Sequence, residues 1–345
     1  MKYLAILLFM FATHLVSAEP LRIMAIGEST SLGYYDGIEH SEASIPLMVK
    51  QEVESFGIQV ILENKSVSST TAEWHLANNS FSESKSNIVM IQLGINDAVK
   101  TDVCKFIDDF TLLIDALQRA GKIVYITMPN KIAGALSTQL EYYAYKMQSL
   151  GINKGVIVVN QGAQDIPLSD TYHPTHVGYL SLGSALKDRV STDAPSIIAY
   201  IQATRVYIAM LNRSPEKNGL DYWANEILRY DLVSVVQRFI DFFNIGSDSD
   251  FLDLVYLNLM DRYPDAEGKT YWINCIANSG RGRALIMIME ILAKDSGIDG
   301  LVFQNKIFAG LAYGYIYKKA DVAENNNLST ITEDSVSILI FTQNL

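Results

Sequence analysis

The chain has 345 residues, 38 acidic against 27 basic, for a formal net charge of -11. A surface of that sign repels phosphate backbones, which argues against nucleic acid as a partner and leaves neutral esters and glycans open. Two cysteines, Cys104 and Cys275, are too few for a disulfide framework. Each falls in a helical pattern and reads as a small buried apolar side chain.

The first 18 residues carry Met1-Lys2, an apolar run over 3–16 and small residues at Ser17-Ala18. This reads as a secretory signal cleaved before Glu19. The run is too short for a comfortable membrane span, and no later stretch holds the ~20 uninterrupted apolar residues that spanning requires. The expectation is an exported bacterial protein, secreted or periplasmic, that does not span the membrane.

Beyond the signal, continuous apolar runs at 22–26, 58–62, 87–93, 122–127 and 156–159 predict five strands. Runs without alternation mark strands covered on both faces, as in a parallel sheet. Helical patterns lie between and after them at 44–56, with Pro46 in the first turn, at 103–120, at 137–150 and at 176–190. The alternation predicts a doubly wound, flavodoxin-like three-layer α/β/α domain over about 19–192.

Four short polar segments follow those strands in order: Gly27-Glu28-Ser29, Ser68-Ser69, Gly94-Ile95-Asn96-Asp97 and Asp170-Thr171-Tyr172-His173. In an open parallel sheet all of these loops emerge at the carboxyl edge, where active sites of such folds lie. Together they supply an acyl-transfer site. Ser29 is the candidate nucleophile, His173 its general base, Asp170 the carboxylate that orients the imidazole, and the Asn96 amide a donor to the oxyanion. Asp97 reads as loop support.

The mature chain has four histidines, His40, His75, His173 and His176. Asp170, His173 and His176 recur at intervals of three, as metal ligands on one helical face do, but Pro174 pushes His173 out of helical geometry and no other His or Cys cluster completes a set. No metal or other cofactor is expected. His40 and His75 read as surface or packing residues.

At about 191–196 the strand pattern stops and helical patterns take over. Tyr207, Arg213, Pro215, Gly219, Tyr222 and Trp223 recur 49 residues later as Tyr256, Arg262, Pro264, Gly268, Tyr271 and Trp272. A fixed period of that size marks a duplicated helical unit, assigned here to 197–320. At helical spacing the Tyr-Trp pairs read as packing between repeats ahead of sugar stacking. The polar stretch 323–335 reads as a flexible lead within a C-terminal tail, 321–345.

On the four ordered segments, about 21–190 resembles the SGNH hydrolase superfamily, the GDSL esterases and lipases. The third and fourth segments match its blocks well, Asp170-Thr171-Tyr172-His173-Pro174 with Gly178 above all. The resemblance implies an SGNH-type fold, Ser29, Asn96 and His173 as catalytic residues with Asp170 in support, and an oxyanion hole made by the Ser29 N–H, a donor from the second segment and the Asn96 side chain. Two positions depart from the pattern. Glu28 stands where Asp is usual, and Ser69 where Gly is usual; Ser69 keeps the backbone donor but disfavours a positive φ. The second part resembles a helical repeat of uncharacterised function found in exported bacterial proteins.

These readings lead to an exported serine esterase acting on small-molecule or polysaccharide acyl esters, O-acetyl groups first, with repeats that bind a cell-surface or glycan ligand. An SGNH-type O-acyltransferase and a non-catalytic surface-binding protein stay open as alternatives.

Overall fold

The computed structural model describes residues 20–162, 165–320, 326–343 and 345. The expected signal segment lies outside these residues. The chain divides into two compact units, one of Pro20–Gln118 with Lys122–Ala194, the other of Arg119–Gly121 with Pro195–Leu345.

The first unit is a parallel sheet of five strands: β1 (Leu21–Gly27), β2 (Val60–Asn64), β3 (Ile88–Gln92), β4 (Ile123–Thr127) and β5 (Ile157–Val159), in the spatial order β2-β1-β3-β4-β5. Every pairing is parallel. The order reverses between β1 and β3, which opens the crevice at the carboxyl edge that such sheets use for ligands. Every residue of β3 and β4 is buried, as their unbroken apolar runs require. The outer strands are half covered, and Ile61 of β2 is 44% exposed. A continuous apolar run at the edge of the sheet therefore does not mean two covered faces.

Helices α1 (Ser29–Leu32), α2 (Ile45–Ser55), α3 (Ala72–Asn78), α4 (Ile95–Lys100), α5 (Val103–Arg119) and α6 (Ser137–Asn153) connect the strands. In α5 the buried Phe106, Phe110, Leu113, Ile114 and Leu117 recur every three or four residues and form one apolar stripe.

Helix α7 (His176–Leu211) runs through Pro195 without a break, where the sequence reading ended it at 190. The reason lies in its apolar period. Leu186, Val190, Ala194, Ile197 and Ile201 are all buried, at spacings of three and four that continue across the proline. Burial of that stripe outweighs the hydrogen bond that Pro195 cannot make.

The second unit adds α8 (Lys217–Arg229), α9 (Leu232–Phe242), α10 (Asp248–Met260), α11 (Ala266–Lys294), α12 (Ile298–Leu311) and α13 (Val336–Thr342). The 49-residue period is visible in its contacts. Helices α7 and α10 each end at a left-handed residue, Asn212 or Asp261, and the next residue's guanidinium lies over a tyrosine: Arg213 over Tyr207 at 5.2 Å, Arg262 over Tyr256 at 5.6 Å. Of each Tyr-Trp pair the Trp turns inward and the Tyr outward. Trp272 is buried, with Nε1 donating to Tyr256 Oη at 2.9 Å, and Trp223 packs on Phe239, while Tyr222 and Tyr271 are exposed.

The lead into the C-terminus is built into the unit from residue 326 onward: Leu328 and Ile331 are fully buried, the Leu328 N–H donates to Asn212 O at 3.0 Å, and Arg213 bridges Asn327. Its polar composition hid those two apolar anchors. The cysteines are free, but Cys104 is exposed and Cys275 half-buried, so neither is a core residue. Among the described residues no helix is long and apolar enough to cross a membrane.

Candidate active site

Strand β1 ends at Gly27, Glu28 and Ser29 follow it into α1, and each of these three residues anchors a different one of the other three segments. A Cβ at Gly27 would lie 2.4 Å from Ser31 Cβ, so only glycine lets α1 turn back this tightly after the strand. That turn places Ser29 at the first position of α1, at the sheet's carboxyl edge.

Ser29 anchors the fourth segment. Its Oγ lies 2.9 Å from His173 Nε2, and His173 Nδ1 lies 2.8 Å from Asp170 Oδ2. The carboxylate can only accept, so Nδ1 carries the proton and Nε2 is left to accept from the Ser29 hydroxyl. Asp170 Oδ1 also accepts the backbone N–H groups of Tyr172 and His173, at 2.7 and 2.8 Å. Burial pushes the Asp170 carboxyl up, but the hydrogen bonds from the His173 ring and from those two N–H groups outweigh it and hold the group below its usual range. A bridge between Leu168 and Pro174 closes the loop that carries Asp170 and His173. Tyr34 packs against the His173 ring at 4.7 Å, and the buried Tyr179 donates to the Tyr34 carbonyl at 2.7 Å.

Glu28 anchors the third segment. Its carboxylate is buried and accepts the Ile95 and Asn96 N–H groups, each at 2.9 Å, together with the Asn96 side-chain amide. One N–H of that amide is thereby engaged, and the other can donate to an oxyanion. Burial pushes the Glu28 carboxyl up to about 8, with the Asp97 charge adding to the effect and the Asn96 and Ile95 donors opposing it. The extra methylene relative to Asp thus spans to the start of α4, whose entry at Gly94 has φ +125°, a conformation open to glycine.

Gly27 anchors the second segment. Its carbonyl accepts the Val67 N–H at 2.9 Å. Ser69 has φ +65°, the left-handed conformation that a side chain disfavours. It is held from several directions. Lys100 Nζ donates to Ser69 O at 2.6 Å, and Asp97 Oδ1 accepts the Ala72 N–H at 2.9 Å, which is the loop support expected of Asp97.

Of the two readings open for His75, surface or packing, the structure shows the second. It is fully buried and hydrogen-bonded between the first and second segments, which its place on a short polar helix did not signal. His40 stacks on Tyr35 at 3.7 Å, and His176 opens α7 with its ring 6.1 Å from Tyr35. Among the described residues no three His, Cys, Asp or Glu side chains gather as metal ligands. Glu28, singled out in the first segment, fixes the start of the third; Tyr34, Tyr179 and Lys100 are the residues around the site that the sequence does not signal.

The loop after β4 borders the site on its far side. Asn130 Nδ2 donates to Tyr172 O at 3.0 Å, and Pro129 packs on Gly94. From there a cavity of about 310 Å³ opens, with Met128, Ile132 and Leu140 on its apolar walls and Asn160, Gln148 and Tyr145 among its polar and aromatic ones.

The α/β unit is similar in fold to solved structures of lipolytic proteins and esterases. One is described as a lipolytic protein of the G-D-S-L family from Desulfitobacterium hafniense, 21% identical over 49% of this chain and 98% of that one, TM-score 0.42. A second is a lipase/acylhydrolase from Enterococcus faecalis, 20% identical over 50% and 95%, TM-score 0.44. A third is a carbohydrate acetylesterase from Sinorhizobium meliloti, 14% identical over 50% and 98%, TM-score 0.44. In the helical unit, residues 237–290 match a family described as a domain of unknown function, DUF4214. Among curated proteins nothing matches.

Proposed function

We propose that the chain is an exported serine esterase. The observation that carries this is the pair of hydrogen bonds linking Ser29 Oγ to His173 Nε2 at 2.9 Å and His173 Nδ1 to Asp170 at 2.8 Å. In the proposed reaction Ser29 Oγ attacks the ester carbonyl carbon while its proton passes to His173 Nε2. The carbonyl oxygen becomes an oxyanion and takes hydrogen bonds from the Asn96 amide and the Ser29 and Ser69 N–H groups. Collapse of the intermediate expels the alcohol, which receives the proton from His173. Water, deprotonated by the same nitrogen, then releases the carboxylate and frees Ser29.

For the substrate we propose acyl esters of polyhydroxylated alcohols, O-acetyl groups on polysaccharide first. The cavity beside the Tyr172-His173 backbone supports this, since its mixture of amides, an exposed tyrosine ring and apolar walls suits a sugar's polar edge and apolar face. Export, the helical unit as a binder of surface glycan, and the signal segment belong to the same proposal.

Labelling by a fluorophosphonate, with the modified residue mapped, tests the reading directly. Modification of Ser29 in the wild type and none in Ser29→Ala is the expected result; an unreactive, folded chain would leave a binding protein in place of an enzyme. Product analysis with a sugar acceptor present separates hydrolysis from acyl transfer.

A further inference from the structure

We infer that His75 is a positioning residue for the oxyanion hole, clamping the turn that holds Ser69 in its left-handed conformation onto the end of β1. The inference rests on the esterase reading for its kinetic consequence, and on geometry alone for its structural one.

His75 sits in the middle of α3, whose start is fixed by Thr71 accepting the Trp74 N–H at 3.3 Å. Its two ring nitrogens are fully used. Asn79 Nδ2 donates to Nδ1 at 3.2 Å, so Nδ1 is the unprotonated nitrogen and Nε2 carries the hydrogen. That hydrogen points at two acceptors from the two segments it joins, the Gly27 carbonyl at 3.1 Å and Thr70 Oγ1 at 3.0 Å. Thr70 Oγ1 in turn donates to Val67 O at 2.6 Å, closing the turn 67–70 around Ser69. The ring therefore ties Thr70, next to the candidate donor Ser69, to Gly27, two residues before the candidate nucleophile.

Such a tie has work to perform. A residue with a Cβ in the left-handed region costs on the order of 1–2 kcal/mol and persists only where its surroundings impose it. The Ser69 N–H can aim at an oxyanion only while the turn keeps that conformation. Burial keeps the His75 ring neutral, lowering it to about 4, so the Nε2–H and Nδ1 roles persist at neutral pH.

The test compares His75→Leu, which fills the space without a donor, with His75→Gln, which restores one, each in the wild-type and the Ser69→Gly backgrounds. In the wild-type background His75→Leu should lower kcat on a short aryl ester by roughly tenfold with KM within about twofold, a fraction of the loss from deleting an oxyanion donor. His75→Gln should recover part of it. With glycine at 69, which holds the turn without steric cost, the loss from His75→Leu should shrink severalfold. Equal losses in both backgrounds, or a loss expressed in KM, would overturn the inference.

Amide hydrogen exchange of 67–71 is read in parallel. It should accelerate in His75→Leu while the β3 amides keep their protection, and unchanged exchange at 67–71 would overturn the clamp regardless of catalysis. If wild-type protein hydrolyses no ester, the esterase reading fails and exchange alone decides the clamp. Should His75→Leu not fold, His75→Met, which likewise lacks a donor, carries the same comparison.

Discussion

In the α/β unit the left-handed residue that matters is Ser69, and in the helical unit Asn212 and Asp261 stand at the ends of α7 and α10. Asn and Asp tolerate that conformation through local hydrogen bonding, and a helix end offers them a place for it. Serine has no such preference. The turn around Ser69 is held by groups from β1, α3 and α4. A left-handed residue at a helix end thus recurs with the sequence repeat and suits its residue type, whereas Ser69, at the sheet's carboxyl edge, keeps that conformation against its residue type through contacts with other elements.

The largest effects should follow from removing the groups that those segments converge on. Ser29→Ala is expected to lower turnover of short aryl esters by up to about a millionfold without loss of folding, and His173→Ala nearly as much. His176→Ala, although it neighbours the same loop, should cost far less because no hydrogen bond to Ser29 or Asp170 runs through it. Comparable losses at both histidines would break the assignment. Asn96→Ala should cost about a hundred- to a thousandfold in kcat with little change in KM, since its amide meets charge only in the transition state.

The strands, the four segments and the repeat were legible because each is written in local periodicity or spacing. The clamps were not. Glu28 reaches Ile95 and Asn96 across 67 or more residues, and His75 reaches Gly27 across 48, so neither contact has a local pattern to announce it. The helix through Pro195 was hidden for the opposite reason: a strong local breaker masked a burial stripe that only the fold could reveal. Leu328 and Ile331 were likewise outvoted by their polar neighbours.

A pH series sharpens the comparison at His75. Its folded value of about 4 lies below the ordinary 6.5, so the unfolded chain binds the proton first as pH falls. The stability that the neutral ring contributes is therefore fully present above about 6.5 and is lost progressively as pH drops to about 4, by roughly 3 kcal/mol in all. Glu28 and Asp97, pushed up by burial to about 8 and about 6, act in the opposite sense, each losing stability as pH rises through its folded value. The informative measurement is thus the difference between wild type and His75→Leu in denaturant melts. The gap should narrow steadily between pH 6.5 and 4, and a gap independent of pH would mean that the ring is not held neutral by the fold.

Glycine substitution separates the three left-handed residues. Ser69→Gly removes a steric penalty and should raise the melting temperature by a few degrees, whereas Ser69→Pro deletes the proposed donor and should abolish turnover. At Asp261 the backbone gain is outweighed. Its carboxylate accepts from Lys306 Nζ at 2.9 Å, and the Lys306 side chain is fully buried, so Asp261→Gly strips a buried ammonium of its counter-charge. The cost should be on the order of 1–3 kcal/mol, close to that of a lost charged hydrogen bond, with one further acceptor, Asn258 O at 2.7 Å, limiting it.

The smallest effect belongs to Asn212, the matching position one repeat earlier. Its Oδ1 is buried and has no hydrogen-bond partner among the described residues, so its removal forfeits no hydrogen bond at that oxygen and relieves a desolvated acceptor. Against this stands the greater freedom that glycine has in the unfolded chain, worth up to about 1 kcal/mol. The two nearly cancel, and Asn212→Gly should shift stability by no more than about half a kilocalorie per mole while Asp261→Gly is clearly destabilised. Thermal melts of the two variants side by side check this. Equal losses would mean that the backbone conformation sets the cost at both turns; the predicted asymmetry would show that one repeat has turned its helix end into an anchor for a buried lysine and the other has not.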